Sequence, residues 1–347
     1  MSKYREAVES SFRLLKELIA IPSFSREEKE VSDTIFSYLS ERQCKIERIG
    51  NNIIAYSNNF SADKPAVLLN AHIDTVKPVA GWVHDPFFPT EEGGKLYGLG
   101  SNDCGGGLVS LLHVFLLLKD SRDDLIFVAS CEEEVSGQNG ISMVLPHLPQ
   151  IAYAIVGEPT GMNPAIAEKG LMVVDAVSHG ESGHAARNEG KNAIYIAMED
   201  IDWLRSHHFA KNSDLLGEVK ATVTIINAGT QHNVIPDQCT FVIDIRSNEC
   251  YTNQEIFGIL KKNMKSELKA RSFRLNPSSI SKEHPIVAKC IKRGRKPFGS
   301  PTLSDMALMP FPSLKLGPGA SSRSHTADEY IFLDEIEEAM EIYMEII

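Results

Sequence analysis

Hydrophobic and polar positions along the first half of the chain alternate between helical and strand periodicity. Apolar residues recur at helical spacing over residues 4–20, and the SREE segment at 25–28 has the S-x-x-E form of a capping box, so the pattern predicts two opening helices. Short β-rich runs follow (NIIAYS, AVLLNA, DLIFVAS and IAYAIVG), separated by helical stretches over 104–119 and 140–147. This alternation predicts an α/β domain with a mixed, largely parallel sheet flanked by helices.

The order of elements changes at about residue 172. Strand, helix, strand, strand and helix signals follow one another in LMVVDAVS, NAIYIAMEDIDWLRSHH, KATVTIINAG, CTFVIDIRS and NQEIFGILKKNMKSEL. We therefore predict an inserted α+β domain over 172–278. NPSSISKEHP at 276–285 is the expected crossing back, after which strand and helix signals return, so the first domain is predicted to comprise 1–171 and 279–347.

Composition restricts the possible partners and compartments. The 347 residues are 43% hydrophobic, and 46 acidic against 35 basic side chains give a net charge of -11 without a long basic run, which disfavours nucleic acid and anionic membranes as partners. The six cysteines form no C-x-x-C pair and the charged N-terminus has no signal-type apolar run, so we expect a protein of the reducing cytoplasm. The most apolar run, LVSLLHVFLLL, is too short to span a bilayer and predicts a buried helix.

The segment YGLGSNDCGGGLVSLL at 97–112 has the glycines and the following helix of a phosphate-binding loop, but it lacks the G-K-[ST] signature. Asp103 lies where a phosphate would have to bind, and its carboxylate would repel that ligand. A cation is therefore the expected ligand of this loop.

Other metal-ligating side chains follow apolar strands or lie in glycine-rich loops, where open α/β sheets place their sites. Asp74 follows His72 at a spacing that puts both on one side of an extended chain, where a carboxylate orients an imidazole. Each residue alone is more often an ordinary polar side chain, but their shared location favours a site. Two imidazoles and three carboxylates suit zinc first and cobalt or manganese next; the candidate ligands are His72, Asp103, Glu134, Glu158 and His325.

Six segments, HIDTV, GLGSNDCGGG, SCEEEVSG, VGEPT, SGHAAR and SHTADEY, resemble in order and spacing the M20 family of zinc-dependent amidohydrolases and exopeptidases. The resemblance implies two divalent metal ions, zinc or alternatively cobalt. Asp103 would bridge them, with His72 and Glu158 on one ion and Glu134 and His325 on the other.

The resemblance also implies catalytic roles beside the ligands. Asp74 would hold His72, and Glu133 would be the general base, although the family usually has Asp-Glu-Glu where this chain has Glu132, Glu133 and Glu134. Two ions about 3.5 to 4 Å apart generate a bridging hydroxide near neutral pH and polarise an acyl carbonyl. Glu133 would take the proton of the attacking water and pass it to the departing amine.

The insert resembles the dimerisation or lid domain of the same family, which implies a homodimer. His184, in SGHAAR, would stabilise an oxyanion in the partner's site. Without the resemblance, the sequence favours an ordinary histidine in a turn after Gly183. Arg246 and Asn233 would bind a substrate carboxylate; the alternative for Arg246 is a surface ion pair. Gly319, in LGPGASS, would contact substrate through its backbone.

The segments IGNNIIAYS, GWVHDPF and KNAI are similar to those of acetylornithine deacetylases. This implies hydrolysis of an N-acyl amino acid, first N-acetyl- or N-succinyl-ornithine in arginine biosynthesis, with a dipeptidase, an aminoacyl peptidase or a succinyl-diaminopimelate desuccinylase as alternatives. Two other classes are a two-metal phosphoesterase and a non-catalytic metal-stabilised binding protein. Glu133 beside Glu134 disfavours the phosphoesterase, and the presence of both Glu133 and His184 disfavours the binding protein.

Overall fold

The computed structural model describes residues 3–187 and 189–347. The α-helices are α1 (Lys3–Ile19), α2 (Lys29–Glu41), α3 (Gly106–Leu118), α4 (Ile141–Val144), α5 (Ala193–Ser206), α6 (Asn253–Asn263), α7 (Pro285–Lys292) and α8 (Leu333–Ile346). The strands are β1 (Lys45–Ile49), β2 (Asn52–Tyr56), β3 (Ala66–His72), β4 (Thr90–Glu92), β5 (Lys95–Tyr97), β6 (Leu125–Ser130), β7 (Ile151–Val156), β8 (Ala165–Glu168), β9 (Gly170–His179), β10 (Gly183–His184), β11 (Lys220–Ala228), β12 (Val234–Ile235), β13 (Gln238–Ser247), β14 (Glu267–Ala270), β15 (Ser278–Ser279), β16 (Phe298–Ser300), β17 (Ser313–Lys315) and β18 (Tyr330–Phe332).

The chain divides into two compact units. The first runs to Ile166 and includes Ile280–Phe298 and Ser304–Ile347, and the second comprises Ala167–Ser279 and Gly299–Leu303. The chain thus passes between the units at 166/167 and 279/280, where the sequence predicted 171/172 and 278/279. The short segment Gly299–Leu303, which the sequence assigned to the first domain, packs with the second unit.

A mixed sheet forms the centre of the first unit, in the strand order β1-β2-β6-β3-β7-β17-β8. Strand β3 runs parallel to β6 and to β7, β17 runs parallel to β7, and β1 and β2 add an antiparallel edge. Every residue of β3 and β6 is buried, because helices cover both faces of a parallel sheet. This mixed, largely parallel α/β fold confirms the fold class predicted from the sequence.

Helix α3 is apolar all round because it packs in the core against β3, α1 and α8. With the preceding turn it gives an 18-residue stretch, Ser101–Leu118, that is long and apolar enough for a membrane span, but 78% of it is buried inside the protein, as in a core helix. His113 in this helix lies 2.7 Å from the Tyr38 hydroxyl through Nε2 and 2.8 Å from the Val109 carbonyl through Nδ1. Burial lowers the pKa of His113 to about 4, so this ring is a neutral hydrogen-bonding residue of the core.

The capping box predicted at 25–28 is wrong. Helix α2 begins at Lys29, and Glu28 in the preceding position makes no side-chain capping hydrogen bond. The Ser25 hydroxyl instead donates to Asp74 Oδ2 at 2.7 Å, and the Glu28 carboxylate is buried against other partners. Ser25 and Glu28 therefore form hydrogen bonds to residues remote in sequence, and these bonds replace the predicted capping interactions.

The second unit has a four-stranded antiparallel sheet in the order β11-β13-β9-β14, with a small ladder of β10 and β12 beside it. Residues of β9 and β13 alternate between buried and partly exposed, and their inward side chains pack against α5 and α6. The helix predicted over 253–268 ends at Asn263, because β14 follows and pairs Leu268 with Ala176 of β9. Pairing to a distant strand overrides local helical periodicity at this end.

Candidate metal centre and active site

His72 is the last residue of β3, and its buried ring reaches polar groups at both nitrogens. Nδ1 lies 2.8 Å from the main-chain oxygen of Asp74 and 3.6 Å from the carboxylate of the same residue, so the main-chain oxygen is its nearer partner. Nε2 points the other way, 3.2 Å from Asp103 Oδ1 and 3.8 Å from Glu158 Oε1. A proton on Nδ1 would leave the Nε2 lone pair free for a cation among the carboxylates.

Asp103 lies in a distorted turn, Ser101–Gly105, that leads into α3. The peptide bond between Asp103 and Cys104 is cis. Close packing behind this turn requires glycine, since a Cβ on Gly107 would lie 1.7 Å from the Gly157 carbonyl oxygen. The first turn of α3 therefore contacts the backbone just before Glu158.

A buried carboxylate, Glu329, holds the loop that carries Asp103. It accepts hydrogen bonds from the main-chain N–H groups of Gly100, Asn102 and Asp103 at 3.0, 3.0 and 2.9 Å. Burial and the neighbouring Asp103 raise the pKa of Glu329 to about 8. The sequence interpretation missed this residue, although it stands four positions after His325 in SHTADEY.

His325 and Glu134 complete the opposite side of the cluster. His325 Nε2 is 3.0 Å from Glu134 Oε2 and 3.8 Å from Asp103 Oδ2. The hydrogen bond to Glu134 raises the pKa of His325 to about 9. Asp103 thus lies between the pair formed by His72 and Glu158 and the pair formed by Glu134 and His325.

Two further carboxylates are poorly compensated. Oε1 of Glu158 is buried without a hydrogen-bond partner among the described residues, and burial together with Asp103 raises the pKa of Glu158 to about 8. Potential ligand atoms of Glu133 lie within 4.8 Å of those of His72 and Glu158. Burial and the neighbouring Glu158 raise the pKa of Glu133 well above its usual range.

This donor set fits divalent cations. Buried carboxylates repel one another unless cations or protons compensate them, and the unpartnered Oε1 of Glu158 is a lone pair that a cation would use. Two such sets of ligand atoms share the His72 ring, one with Asp103 and Glu134 and the other with Glu133 and Glu158. The first unit thus brings the five predicted ligands together, along with Asp74 and Glu133.

Of the four remaining predicted site residues, three lie in the second unit and one, Gly319, lies in the first. His184 and Asn233 are exposed neighbours at the β10–β12 ladder of the second unit, where the Asn233 carbonyl accepts the N–H of Ala185 at 3.0 Å. Arg246 on β13 pairs with Asp244 through two hydrogen bonds of 2.8 and 3.2 Å. This is an ion pair of the kind expected if Arg246 does not bind a substrate carboxylate. Gly319 belongs to the first unit and has φ of 82°, and a Cβ there would lie 2.3 Å from Asn102 Oδ1.

Residues 68–347 match the family described as Peptidase family M20/M25/M40. The chain belongs to this family. The resemblance found in the sequence is confirmed, and the chain is a hydrolytic metalloenzyme acting on amides. The phosphoesterase and the non-catalytic binding protein are therefore excluded.

Two relatives of this M20 chain are named as a deacetylase and a desuccinylase. The chain is 27% identical to an acetylornithine deacetylase of Proteus mirabilis, with 96% of this chain and 95% of the relative covered. It is also 27% identical to a succinyl-diaminopimelate desuccinylase of Corynebacterium glutamicum, with 93% and 92% covered. Among solved structures, a dinuclear metal binding peptidase of the M20 family from Bacillus subtilis superposes with a TM-score of 0.74 at 18% identity, covering 99% of this chain and 98% of that one.

Proposed function

We propose that this M20 enzyme removes the acyl group from an N-acyl amino acid, first N-acetyl- or N-succinyl-ornithine. The observation that carries the proposal is the cluster of His72, Asp103, Glu134, Glu158 and His325 with Glu133 beside it. Two relatives that match over more than nine tenths of both chains are named for removal of acetyl or succinyl groups, which supports the substrate class. We place the reaction in arginine biosynthesis in the cytoplasm, as the sequence predicts.

The five clustered side chains would hold two divalent ions, which we propose to be zinc, with cobalt as the alternative. When bound, such ions polarise an acyl carbonyl and acidify a water molecule. Asp103 lies between the other ligands and reaches both histidines, at 3.2 Å and 3.8 Å. Asp103 would therefore be the ligand shared by the two ions.

Glu133 supplies the proton transfers in this proposal. Its carboxylate takes a proton from the attacking water and delivers it to the nitrogen of the scissile amide, because an amine leaves poorly as an anion. Arg246 and Asn233 bind the carboxylate of the amino-acid product, Arg246 by exchanging its bond to Asp244 for one to substrate. The backbone of Gly319 borders the substrate, and His184 stabilises the oxyanion in a partner subunit's site.

The second unit supports the homodimer that this role of His184 requires. Strand β11 is an edge of the sheet, and Ile225 and Ile226 on it are 52% and 51% exposed. Tyr195 and Met198 of α5 are also exposed, at 66% and 51%. We propose that a second copy of this chain covers these residues, because an apolar edge strand pairs readily with its own copy.

Introducing a charge at this edge by Ile225→Glu is expected to give a monomer at micromolar concentration and to lower turnover about 10²-fold or more, as loss of an oxyanion donor does. Sedimentation velocity and initial rates check both effects. Lys269→Glu on β14, the opposite edge of the same sheet, is the matched control and should remain dimeric and active. A monomeric wild type with full activity would contradict the dimer and the role of His184 together.

The substrate is tested by amine release from a panel: acetylornithine, succinylornithine, acetyl-lysine, acetylcitrulline, succinyl-diaminopimelate and several dipeptides. We expect kcat/KM to be highest for an acylated ornithine. The ratio of kcat/KM for succinylornithine to kcat/KM for acetylornithine identifies the preferred acyl group. Activity confined to dipeptides would contradict deacylation. It would favour the peptidase alternative, which the description of the matching family as a peptidase family supports.

A further inference from the structure

Three consecutive main-chain N–H groups of the acidic loop after β6 donate to two buried carboxylates. Glu132 N donates to Glu28 Oε1 at 3.2 Å. Glu133 N and Glu134 N donate to Asp74 Oδ1 and Oδ2 at 3.0 and 3.1 Å. The backbone under the proposed base and the adjacent ligand is therefore fixed residue by residue.

Glu28 is 1% exposed, and its carboxylate accepts three hydrogen bonds from neutral N–H donors. Besides Glu132 N, it accepts the main-chain N–H of Arg26 at 2.5 Å and the Asn51 amide group at 3.1 Å. An ionised oxygen accepts such hydrogen bonds more strongly than a neutral one. The carboxylate thus joins the segment before α2, the β1–β2 turn and the acidic loop at one point.

The loop that Glu28 contacts has a conformation that needs support. Glu132 has φ of 55°, in the left-handed region that side chains other than glycine rarely adopt. Its own carboxylate accepts from Asn139 at 2.8 and 3.3 Å, and its carbonyl accepts from Gly137 N at 2.7 Å. The Glu132 side chain is thus turned to this loop, away from the cluster that Glu133 and Glu134 join.

We propose that Glu28 is a positioning residue that sets the direction of the Glu133 side chain by holding the N–H of Glu132. Asp74 is the second half of the same clamp and also connects to the segment before α2 through Ser25. The inference rests on the proposed role of Glu133 as base. Nothing in the resemblance assigns a function to Glu28.

Glu28→Ala is expected to lower kcat about 10- to 100-fold with KM changed less than about twofold, because a small misplacement of a reacting group lowers turnover without removing substrate contacts. In the metal-free protein, hydrogen–deuterium exchange at the amides of 132–134 should be faster in this variant. Glu28→Gln should restore both kcat and the exchange rate substantially. The amide oxygen of glutamine still accepts from Glu132 N and Arg26 N, and the Asn51 side-chain amide can rotate by 180° to accept from the glutamine NH₂ group. Glu27→Ala, which removes the exposed neighbouring carboxylate, is the matched control and should resemble the wild type.

Two outcomes would overturn the role of Glu28. One is wild-type kcat and wild-type exchange at 132–134 in Glu28→Ala. The other is faster exchange spread equally over β3 and α3, which marks a general loss of stability. Glu133→Gln measured in parallel separates the two proposals: if it turns over normally the base assignment is wrong, while the exchange data still decide whether Glu28 holds the loop.

Discussion

Replacing Glu133 with glutamine is expected to lower kcat by about 10²–10⁴-fold while the protein keeps its metal and its affinity for substrate. Glutamine preserves the size of the side chain and leaves the N–H of residue 133 bonded to Asp74. It removes only the ability to accept and return a proton. Steady-state kinetics, metal analysis and calorimetric binding of the unreacted substrate check the three parts of this prediction.

The neighbouring glutamates are the controls, and they also test the register of the Glu-Glu-Glu motif. Glu134→Gln should lose metal, because Glu134 faces His325 at 3.0 Å across the cluster. Glu132→Gln should retain most activity, since this side chain is occupied with Asn139. A Glu133→Gln enzyme with near-normal turnover and full metal content would disprove the base assignment. If only Glu132→Gln lost its activity, Glu132 would be the base and the assignment of the motif would move by one residue.

Removal of the divalent ions by a chelator is expected to abolish activity and to lower the melting temperature by about 6–16 °C. Ions present at 100 to 1,000 times their dissociation constant stabilise the native state by about 3–4 kcal/mol, and each kcal/mol moves the transition by about 2–4 °C in a domain of this size. The physical reason is the crowding of Asp103, Glu133, Glu134 and Glu158, which without cations repel one another or take up protons.

Adding zinc or cobalt back should restore both the rate and the melting temperature, and differential scanning calorimetry measures the shift. Glu158→Gln is the matched variant, because it replaces a buried carboxyl, which must repel Asp103 or take up a proton, with a neutral amide of nearly the same volume. Its metal-free form should melt higher than the metal-free wild type, and metal should stabilise it less. A chelated wild type that hydrolyses the substrate at the normal rate would contradict the metal requirement.

The local elements that the sequence predicted most faithfully are those with strong, short-range patterns. Continuous apolar runs form β3 and β6, and the turns that carry candidate ligands follow these strands. The candidate ligands lie close together because the ends of parallel strands meet at one edge of a sheet. Where a pattern was ambiguous between local and distant partners, the prediction was wrong. The predicted continuation of α6 to residue 268 became β14, and the predicted capping box became part of the clamp around Asp74.

The buried carboxylates that hold the site were missed for the same reason. Glu28 acts on residues 104 positions away and Glu329 on residues more than 220 positions away. The spacing of Glu28 predicted a helix cap, and Glu329 follows His325 in SHTADEY at a spacing that marks no known role. Their function depends on burial and on main-chain N–H groups, which carry no side-chain signature in the sequence.

The sequence by itself determined the α/β class and the family, and it predicted an inserted second domain and a set of metal-ligating residues, because periodicity and motif chemistry are local properties of the chain. Tertiary structure alone decided that Asp103 lies between two histidine–carboxylate pairs, that Glu158 keeps a buried oxygen without a partner, and that Glu28 and Asp74 hold the loop of Glu133. These facts depend on distances between segments remote in sequence. Only packing of the core sets such distances.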